Sequence, residues 1–253
     1  MINSRLIFLK ITDPFLNQAL EEILLNSVFN REYDLIIRFW SSKPSVIIGK
    51  NQSLKREVNI MASQKYQIPI IRRMTGGGAV YLDLGCLNFS FYINNNCKFY
   101  TSNISHLNES LTQIIINALT LSNFDCVFQA PNSITLNGKK ISGSAQIFKG
   151  NSVLHHGTLL VNTNLQKLIE LLNIENNFRE TRYITSKNTD VTNLSFIDKN
   201  ITIAEIIQNI VKQTEEVFQP KFVEKNLTES ELNQANIIMR KKYLDPNWLN
   251  KIP

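Results

Sequence analysis

The sequence predicts an α/β chain of the α+β kind: a mixed β-sheet packed with helices. Three observations carry this reading. Segments with helical and strand periodicity interleave along the whole chain. Several strands are joined by short turns, which a strictly parallel sheet does not allow. The chain has 253 residues, 43% of them hydrophobic, enough for the core of one large domain.

Leu6 to Ile11 reads as a strand. Asp13 is an N-cap candidate with Pro14 at the first helical position. Phe15 to Phe29 then shows helical spacing through Leu16, Ala19, Leu20, Ile23 and Leu24. Asp34 to Trp40 and Ser45 to Gly49 read as strands around the turn cluster Ser41-Ser42-Lys43-Pro44. Leu54 to Tyr66 reads as one helix and Ile68 to Ile71 as a short buried strand. A glycine-rich loop, Met74 to Gly78, leads to strands at Ala79 to Leu82 and Leu87 to Ile93. Ile104 to Leu121 is the best amphipathic helix. Short strands follow at Cys126 to Phe128 and Ile134 to Leu136. Asn137-Gly138 is a strong hairpin signal, because a type I′ turn needs positive φ at both central residues. Lys139 to Phe148 is the return strand, and Lys149-Gly150-Asn151 turns into Val153 to Val161. Helices follow at Leu165 to Leu172 and Ile203 to Phe218, with a polar loop, Thr185 to Asn193, between them. Residues 224–253 are polar and weakly patterned, the tail of a single domain spanning 1–253.

No run reaches the roughly 18–20 apolar residues of a membrane span, and no signal or transit segment opens the chain. The three cysteines, Cys86, Cys97 and Cys126, are odd in number and widely spaced. That pattern suits a reducing, cytoplasmic compartment better than a disulfide framework, and no close Cys/His cluster marks a metal site. The net charge of +6 and pI of about 9.2 favour acidic partners. These include nucleic acid, an acidic carrier protein or an anionic small molecule. No helix-turn-helix, zinc or aromatic RNA-binding pattern supports nucleic acid.

Three segments carry chemistry. In Arg72-Arg73-Met74-Thr75-Gly76-Gly77-Gly78-Ala79-Val80-Tyr81, three glycines permit close backbone approach, and their N–H groups can form an anion nest. The two arginines offer forked donors to phosphate or carboxylate. A plain strand-joining loop with a solvated basic pair is the competing reading. The loop lacks the closing GK[ST] of a Walker A motif and the spacing of a dinucleotide fingerprint. The second segment runs from Asn132 to Ala145. Its hairpin sets Lys140 on a strand ahead of small residues that leave room for a ligand at its ammonium, where it can stabilise negative charge; an exposed hairpin with a solvated Lys139-Lys140 pair competes. In the third, His155-His156-Gly157-Thr158-Leu159-Leu160, neighbouring histidines point to opposite faces of a strand. One suits a pocket wall and one the core. No Ser/His/Asp set stands out. Cys126 is the one thiol near the lysine hairpin, and its setting suits a buried strand equally well.

Together these segments resemble the lipoate–protein ligase family, within the wider biotin/lipoate ligase fold. Asp13-Pro14-Phe15-Leu16-Asn17-Gln18-Ala19-Leu20-Glu21-Glu22 is similar to its opening helix. Val46-Ile47-Ile48-Gly49-Lys50-Asn51-Gln52 is similar to an early strand motif. Arg72 to Gly85 resembles its glycine loop, Gly138 to Ala145 its lysine strand, and His155 to Leu160 and Val191-Thr192-Asn193-Leu194 complete the order. The resemblance implies ATP-dependent activation of lipoate or octanoate to an acyl adenylate. The acyl group then passes to a lysine of a lipoyl carrier domain, in a dehydrogenase-complex acyltransferase subunit or a glycine-cleavage H protein. It implies Lys140 as the catalytic residue. Arg73, Thr75, Gly76, Gly77, Gly78, Ala79, Val80, Tyr81, Ser142, Gly143, His156, Gly157 and Thr158 would bind substrate and adenylate. Arg73 would hold the acyl-phosphate region, Asn132 would contact phosphate or Mg²⁺, and Val80, Ile141 and Leu159 would line an acyl tunnel. Leu82, Cys86, Ser133 and Asp190 stand where the family usually has His, Asn, Asp and Arg. The family's small accessory domain is absent from the sequence, and a separate accessory subunit is one expectation. A cysteine-thioester acyltransferase of the same fold would place its nucleophile one residue beyond Cys126, at Val127. A degenerate lipoyl-binding protein is the other alternative.

Overall fold

The computed structural model describes residues 2–8, 11–98, 100–173, 185–186, 189–219 and 221–253. Asn3–Phe8 forms strand β1. Leu9 and Lys10, read from the sequence as continuing it, lie outside the described residues, as do Lys187 and Asn188 of the polar loop. Asp13 accepts from the Leu16 N–H and Pro14 opens helix α1, Pro14–Phe29, as the cap signal predicts. Strands β2, Leu35–Trp40, and β3, Ser45–Ile48, follow.

The predicted helix from Leu54 to Tyr66 is two helices, α2 (Leu54–Glu57) and α3 (Ile60–Tyr66). Val58 is extended between them and bridges to Leu172, while the Asn59 side chain caps α3. The periodicity passed over a cap residue inside the run. Strands β4 (Ile70–Arg72), β5 (Val80–Leu82) and β6 (Cys86–Asn94) precede helix α4, Ile104–Thr120. Strands β7 (Cys126–Gln129), β8 (Ser133–Leu136), β9 (Lys139–Lys149) and β10 (Ser152–Leu160) complete the meander. Asn137 and Gly138 both have positive φ between β8 and β9, as a type I′ turn requires. Helices α5 (Leu165–Leu171) and α6 (Ile203–Phe218) follow.

Among the described residues, eight strands, with β11 at Lys221–Glu224, form one mixed sheet in the order β11-β1-β2-β6-β10-β9-β8-β7, and β4-β3-β5 form a smaller one. β1 runs parallel to β2 and to β11, and β6 through β10 pair antiparallel. Alternation divides the large sheet. Phe89, Phe91, Ile93 and Val153 pack on Leu107, Leu111, Ile115 and Ile210 of α4 and α6. Tyr92, Leu154 and Ile36 face Leu24, Leu25 and Val28 of α1. Each such buried side chain contributes about 1.5–3 kcal/mol.

Residues 224–253 are more ordered than their weak pattern suggests. Thr228 and Glu231 form a capping box on α7, Glu229–Ile238, and Asp245 with Pro246 starts α8, Pro246–Leu249. Arg5 on β1 holds this region, donating to Glu231 and to the carbonyls of Lys225 and Asn226. Among the described residues no helix is long and apolar enough to cross a membrane.

Candidate functional site

The lysine hairpin, the glycine loop and β10 converge on two adjoining chambers. Trp40, Ile47, Val80 and Leu82 give the first its apolar walls, with Gln18, Asn88 and His156 among its polar groups. The second is lined by Tyr81, Leu160, Leu168, Leu172 and Val191, with Ser142, Ser186 and Thr189. Lys140, Gly143, Thr158, Ala79 and Val80 border both, so the lysine stands at the junction. Its backbone is fixed on both sides: its N–H donates to the Asp190 carbonyl at 2.7 Å and its carbonyl accepts from the Thr192 N–H. The side chain folds over Gly143, where an added Cβ would come within 3.0 Å of Nζ. A side chain at position 143 would therefore displace the lysine head group by a few tenths of an ångström.

The glycine loop joins β4 to β5. Gly77 has φ +86°, and a Cβ on Gly49 would meet the Gly77 carbonyl oxygen at 2.2 Å. Both positions need glycine. Arg73 lies beneath the loop, buried, and donates to Thr75 Oγ1 at 2.9 Å and to the carbonyls of Gly76, Gly78 and Ile47. Burial lowers its pKa to about 10, so it stays protonated at neutral pH. Arg73 borders the first chamber, yet its donors chiefly shape the loop. Arg72, the other arginine of the motif, is turned away. It donates to the carbonyls of Gly49, Lys50 and Gln52 and of Trp248, Leu249 and Ile252.

The two histidines divide as alternation predicts. His155 is fully buried against Phe89 and Phe91, where desolvation and the neighbouring His156 lower its pKa to about 3. His156 faces the chamber. Its Nδ1 lies 2.8 Å from Glu21 Oε2 and its Nε2 lies 2.8 Å from Thr75 Oγ1. Thr75 accepts from Arg73, so its own proton can go to Nε2; the Nδ1–H tautomer then satisfies all three groups. Glu21 also accepts from Arg38, Ser90 and Tyr92. Burial alone would raise the Glu21 pKa. The hydrogen bond from His156, the charge of Arg38 and the Tyr92 hydroxyl outweigh it and hold the carboxyl below its ordinary range. A chain of polar contacts thus ties α1 to the glycine loop through β10.

Sequence reasoning missed Glu21 and its partners Arg38, Ser90 and Tyr92. The available signal was polar residues at buried positions of an otherwise apolar helix: Asn17, Gln18 and Glu21 are all buried in α1. Gln52, Glu57 and Ser186 were missed as well. Ser186 donates to Glu57 and accepts from the Ala79 N–H and from Gln52. Burial raises the Glu57 pKa despite these bonds.

Of the expected site residues, Arg73, Gly78, Ala79, Val80, Tyr81, Asn132, Lys140, Ser142, Gly143, His156, Gly157 and Thr158 line one chamber or both. Thr75 joins through His156. Gly157 has a packing role too, since a Cβ there would meet the Phe89 ring at 2.3 Å. Ile141 and Leu159 were expected to line a tunnel, but both belong to the α4 core. Each follows a chamber-lining residue on its strand and turns to the opposite face. Cys126 is buried, and desolvation with Asp125 pushes its thiol to about 12, which argues against a thiolate nucleophile there. Asn132 Nδ2 donates to the Ser144 carbonyl at 2.6 Å. Among the described residues no group of three His, Cys, Asp or Glu could hold a metal.

Residues 13–215 match the family described as the lipoyl protein ligase A/B catalytic domain. The chain is 32% identical over 203 residues to the lipoate-protein ligase LplJ of Bacillus subtilis, covering 80% of this chain and 59% of that protein. It spans less than two thirds of the length of the curated relatives it matches. Among solved structures, it is similar to one described as a bi-partite lipoate protein ligase and its E2 lipoyl domain from Thermoplasma acidophilum. The TM-score is 0.83 at 28% identity, over 98% of this chain and 96% of that one. A lipoate-protein ligase A bound with ATP gives a TM-score of 0.83 at 27% identity, covering 98% of each chain. With this fold, this loop and this lysine strand, the chain belongs to the lipoyl protein ligase A/B catalytic domain family.

Proposed function

We propose that this chain is the catalytic part of an ATP-dependent lipoate–protein ligase. The observation that carries the reading is the position of Lys140 at the junction of two chambers, each with apolar walls and a few polar groups. An acyl chain takes the chamber walled by Trp40, Ile47, Val80 and Leu82. The nucleoside takes the one walled by Tyr81, Leu168, Leu172 and Val191. The reacting carboxylate and α-phosphate then meet at Lys140. The carboxylate oxygen attacks the α-phosphorus, pyrophosphate leaves and an acyl adenylate forms. The ammonium of Lys140 offsets the negative charge of both reactants, while N–H groups of Gly76 to Gly78 approach the phosphate as a nest. A lysine amine of the carrier then attacks the acyl carbon, giving an amide, AMP and a proton. This chain needs no nucleophile of its own, in keeping with a buried Cys126.

Mg²⁺ fits this site only as a cation carried by the nucleotide. With Asn132 Nδ2 held by Ser144, its Oδ1 is the atom to offer, and Ser133 adds no carboxylate. Mg²⁺ is commonly held by one or two protein oxygens together with phosphates and water. The carrier is a lipoyl domain. The deciding experiment is a mass shift on an apo lipoyl domain incubated with the chain, lipoate and Mg²⁺, with and without ATP. Modification that requires ATP supports the ligase. Modification that does not need ATP, or none under either condition, would overturn it.

A further inference from the structure

We propose that a basic rim beside the mouth of the site, built from two distant segments, is the docking surface for the carrier protein, and that the carrier presents an acidic face around its acceptor lysine. The inference rests on the ligase reading and adds where the second substrate sits and what charge it carries.

The rim is assembled by Arg72. Its guanidinium binds the carbonyls of Gly49, Lys50 and Gln52 on one side and of Trp248, Leu249 and Ile252 on the other. Leu54 N–H donates to the Ile252 carbonyl and Ser53 Oγ to that of Pro253, so residues 49–57 and 239–253 form one surface. That surface abuts the site. Lys50 N–H donates to the Thr75 carbonyl, Gly49 presses on Gly77, and Gln52 and Glu57 hold Ser186, which lines the second chamber.

The charge is concentrated there. The two segments contain Lys50, Lys55, Arg56, Arg240, Lys241, Lys242 and Lys251 against Glu57 and Asp245. These residues account for five of the six net positive charges of the whole chain. Both acids are engaged, Glu57 with Ser186 and Asp245 as the cap of α8. Lys242 pairs with Glu22, whereas Lys55, Arg56, Arg240, Lys241 and Lys251 are exposed. The acceptor lysine must reach a mixed anhydride held at Lys140, and a carrier seated on this rim lies beside the chambers it has to enter. A basic carrier would be repelled and an acidic one steered in.

The test compares the wild-type chain with a Lys55→Glu/Arg56→Glu/Lys251→Glu variant on an apo lipoyl domain of a dehydrogenase-complex acyltransferase subunit. Lipoate-dependent ATP–pyrophosphate exchange is measured in parallel. The expected result is a fall of about tenfold in kcat/KM for the carrier at low salt, most of it in KM, with exchange unchanged. Raising ionic strength to about 0.5 M should bring the wild type towards the variant, because exposed charges are screened within a few ångströms there. The alanine triple, Lys55→Ala/Arg56→Ala/Lys251→Ala, removes charge without adding any and should fall between the two. Equal carrier KM in all three proteins, or a wild-type KM indifferent to salt, would overturn the docking surface while leaving the ligase intact. Absence of exchange in the wild type would instead remove the ligase reading and this inference with it.

Discussion

The two faces of strands β9 and β10 end in opposite environments, although a register shift against β8 interrupts the alternation of β9 beside Ile141. On the α1 side, Lys140, His156 and Thr158 border the chambers, and His156 joins a hydrogen-bonded chain from Glu21 to Thr75. On the α4 side, Ile141, Leu159 and His155 enter an apolar core, and neither ring nitrogen of His155 has a hydrogen-bond partner among the described residues. Two identical residues in succession therefore differ in what they do because of a single-residue step along a strand. One face sets chemistry and the other sets stability, and substitutions on the two faces should separate accordingly.

The sharpest separation is between neighbours. Lys140→Ala should lower adenylate formation by about 10²–10³-fold or more, the scale of losing a charge-stabilising donor, with the thermal midpoint close to wild type. Ile141→Ala, one residue on, should cost about 2–5 kcal/mol of stability while the folded fraction keeps its kcat. Exchange kinetics and urea unfolding on both proteins decide it. A stable, fully active Lys140→Ala, or an inactive but equally stable Ile141→Ala, would break the division.

Glu21→Gln probes the site face at its deepest point. The substitution leaves Arg38 buried without its carboxylate and sets an amide against the donors of Ser90, Tyr92 and His156. Breaking a buried pair in this way costs about 3–5 kcal/mol. Because His156 and Thr75 then lose their fixed arrangement, KM for the acyl substrate should rise as well. An effect on stability alone would confine Glu21 to the scaffold.

Gly143→Ala is a smaller change, aimed at position and not charge. The new methyl would stand 3.0 Å from Lys140 Nζ, so the flexible ammonium must shift by a few tenths of an ångström. A loss of about tenfold in kcat is expected, with little change in stability, since misplaced charge stabilisation is costly in rate. A Gly143→Ala protein with unchanged kcat would show that the lysine head group tolerates displacement.

Much of this arrangement was legible in the chain. Asp13-Pro14 and Asn137-Gly138 located a helix start and a hairpin turn because caps and type I′ turns have local chemistry. The lysine strand and glycine loop stood out for the same reason. Three features were not legible. Val58 interrupts a helical pattern because it bridges to Leu172, a contact more than a hundred residues away. Residues 224–253 have a sparse apolar pattern, and their order comes from Arg5 and Arg72 reaching across the fold. The Glu21 network joins four elements, so no window of sequence contains it. Ile141 and Leu159 were misassigned for a simpler reason: strand alternation, applied to the histidines, was not applied to the residue after Lys140.

The last comparison concerns His155 alone, and its effect is on pH dependence. Its pKa of about 3 lies far below the 6.5 usual for histidine. Between those values the unfolded chain binds a proton that the folded chain excludes. Stability is therefore complete above about pH 6.5 and falls with acidification, by at most about 1.4 kcal/mol per pH unit for one such group. Glu21, held below the ordinary carboxylate range, also destabilises the fold as pH falls, so the acid limb alone does not identify the histidine. His155→Phe does. The aromatic ring retains its neighbours Phe89 and Phe91, and Glu21 is present in both proteins. Urea midpoints measured at pH 7, 6, 5 and 4 should diverge, with the variant losing less stability on acidification. Parallel curves would mean that the core face of β10 admits the proton, and that the two faces are less distinct than their packing indicates.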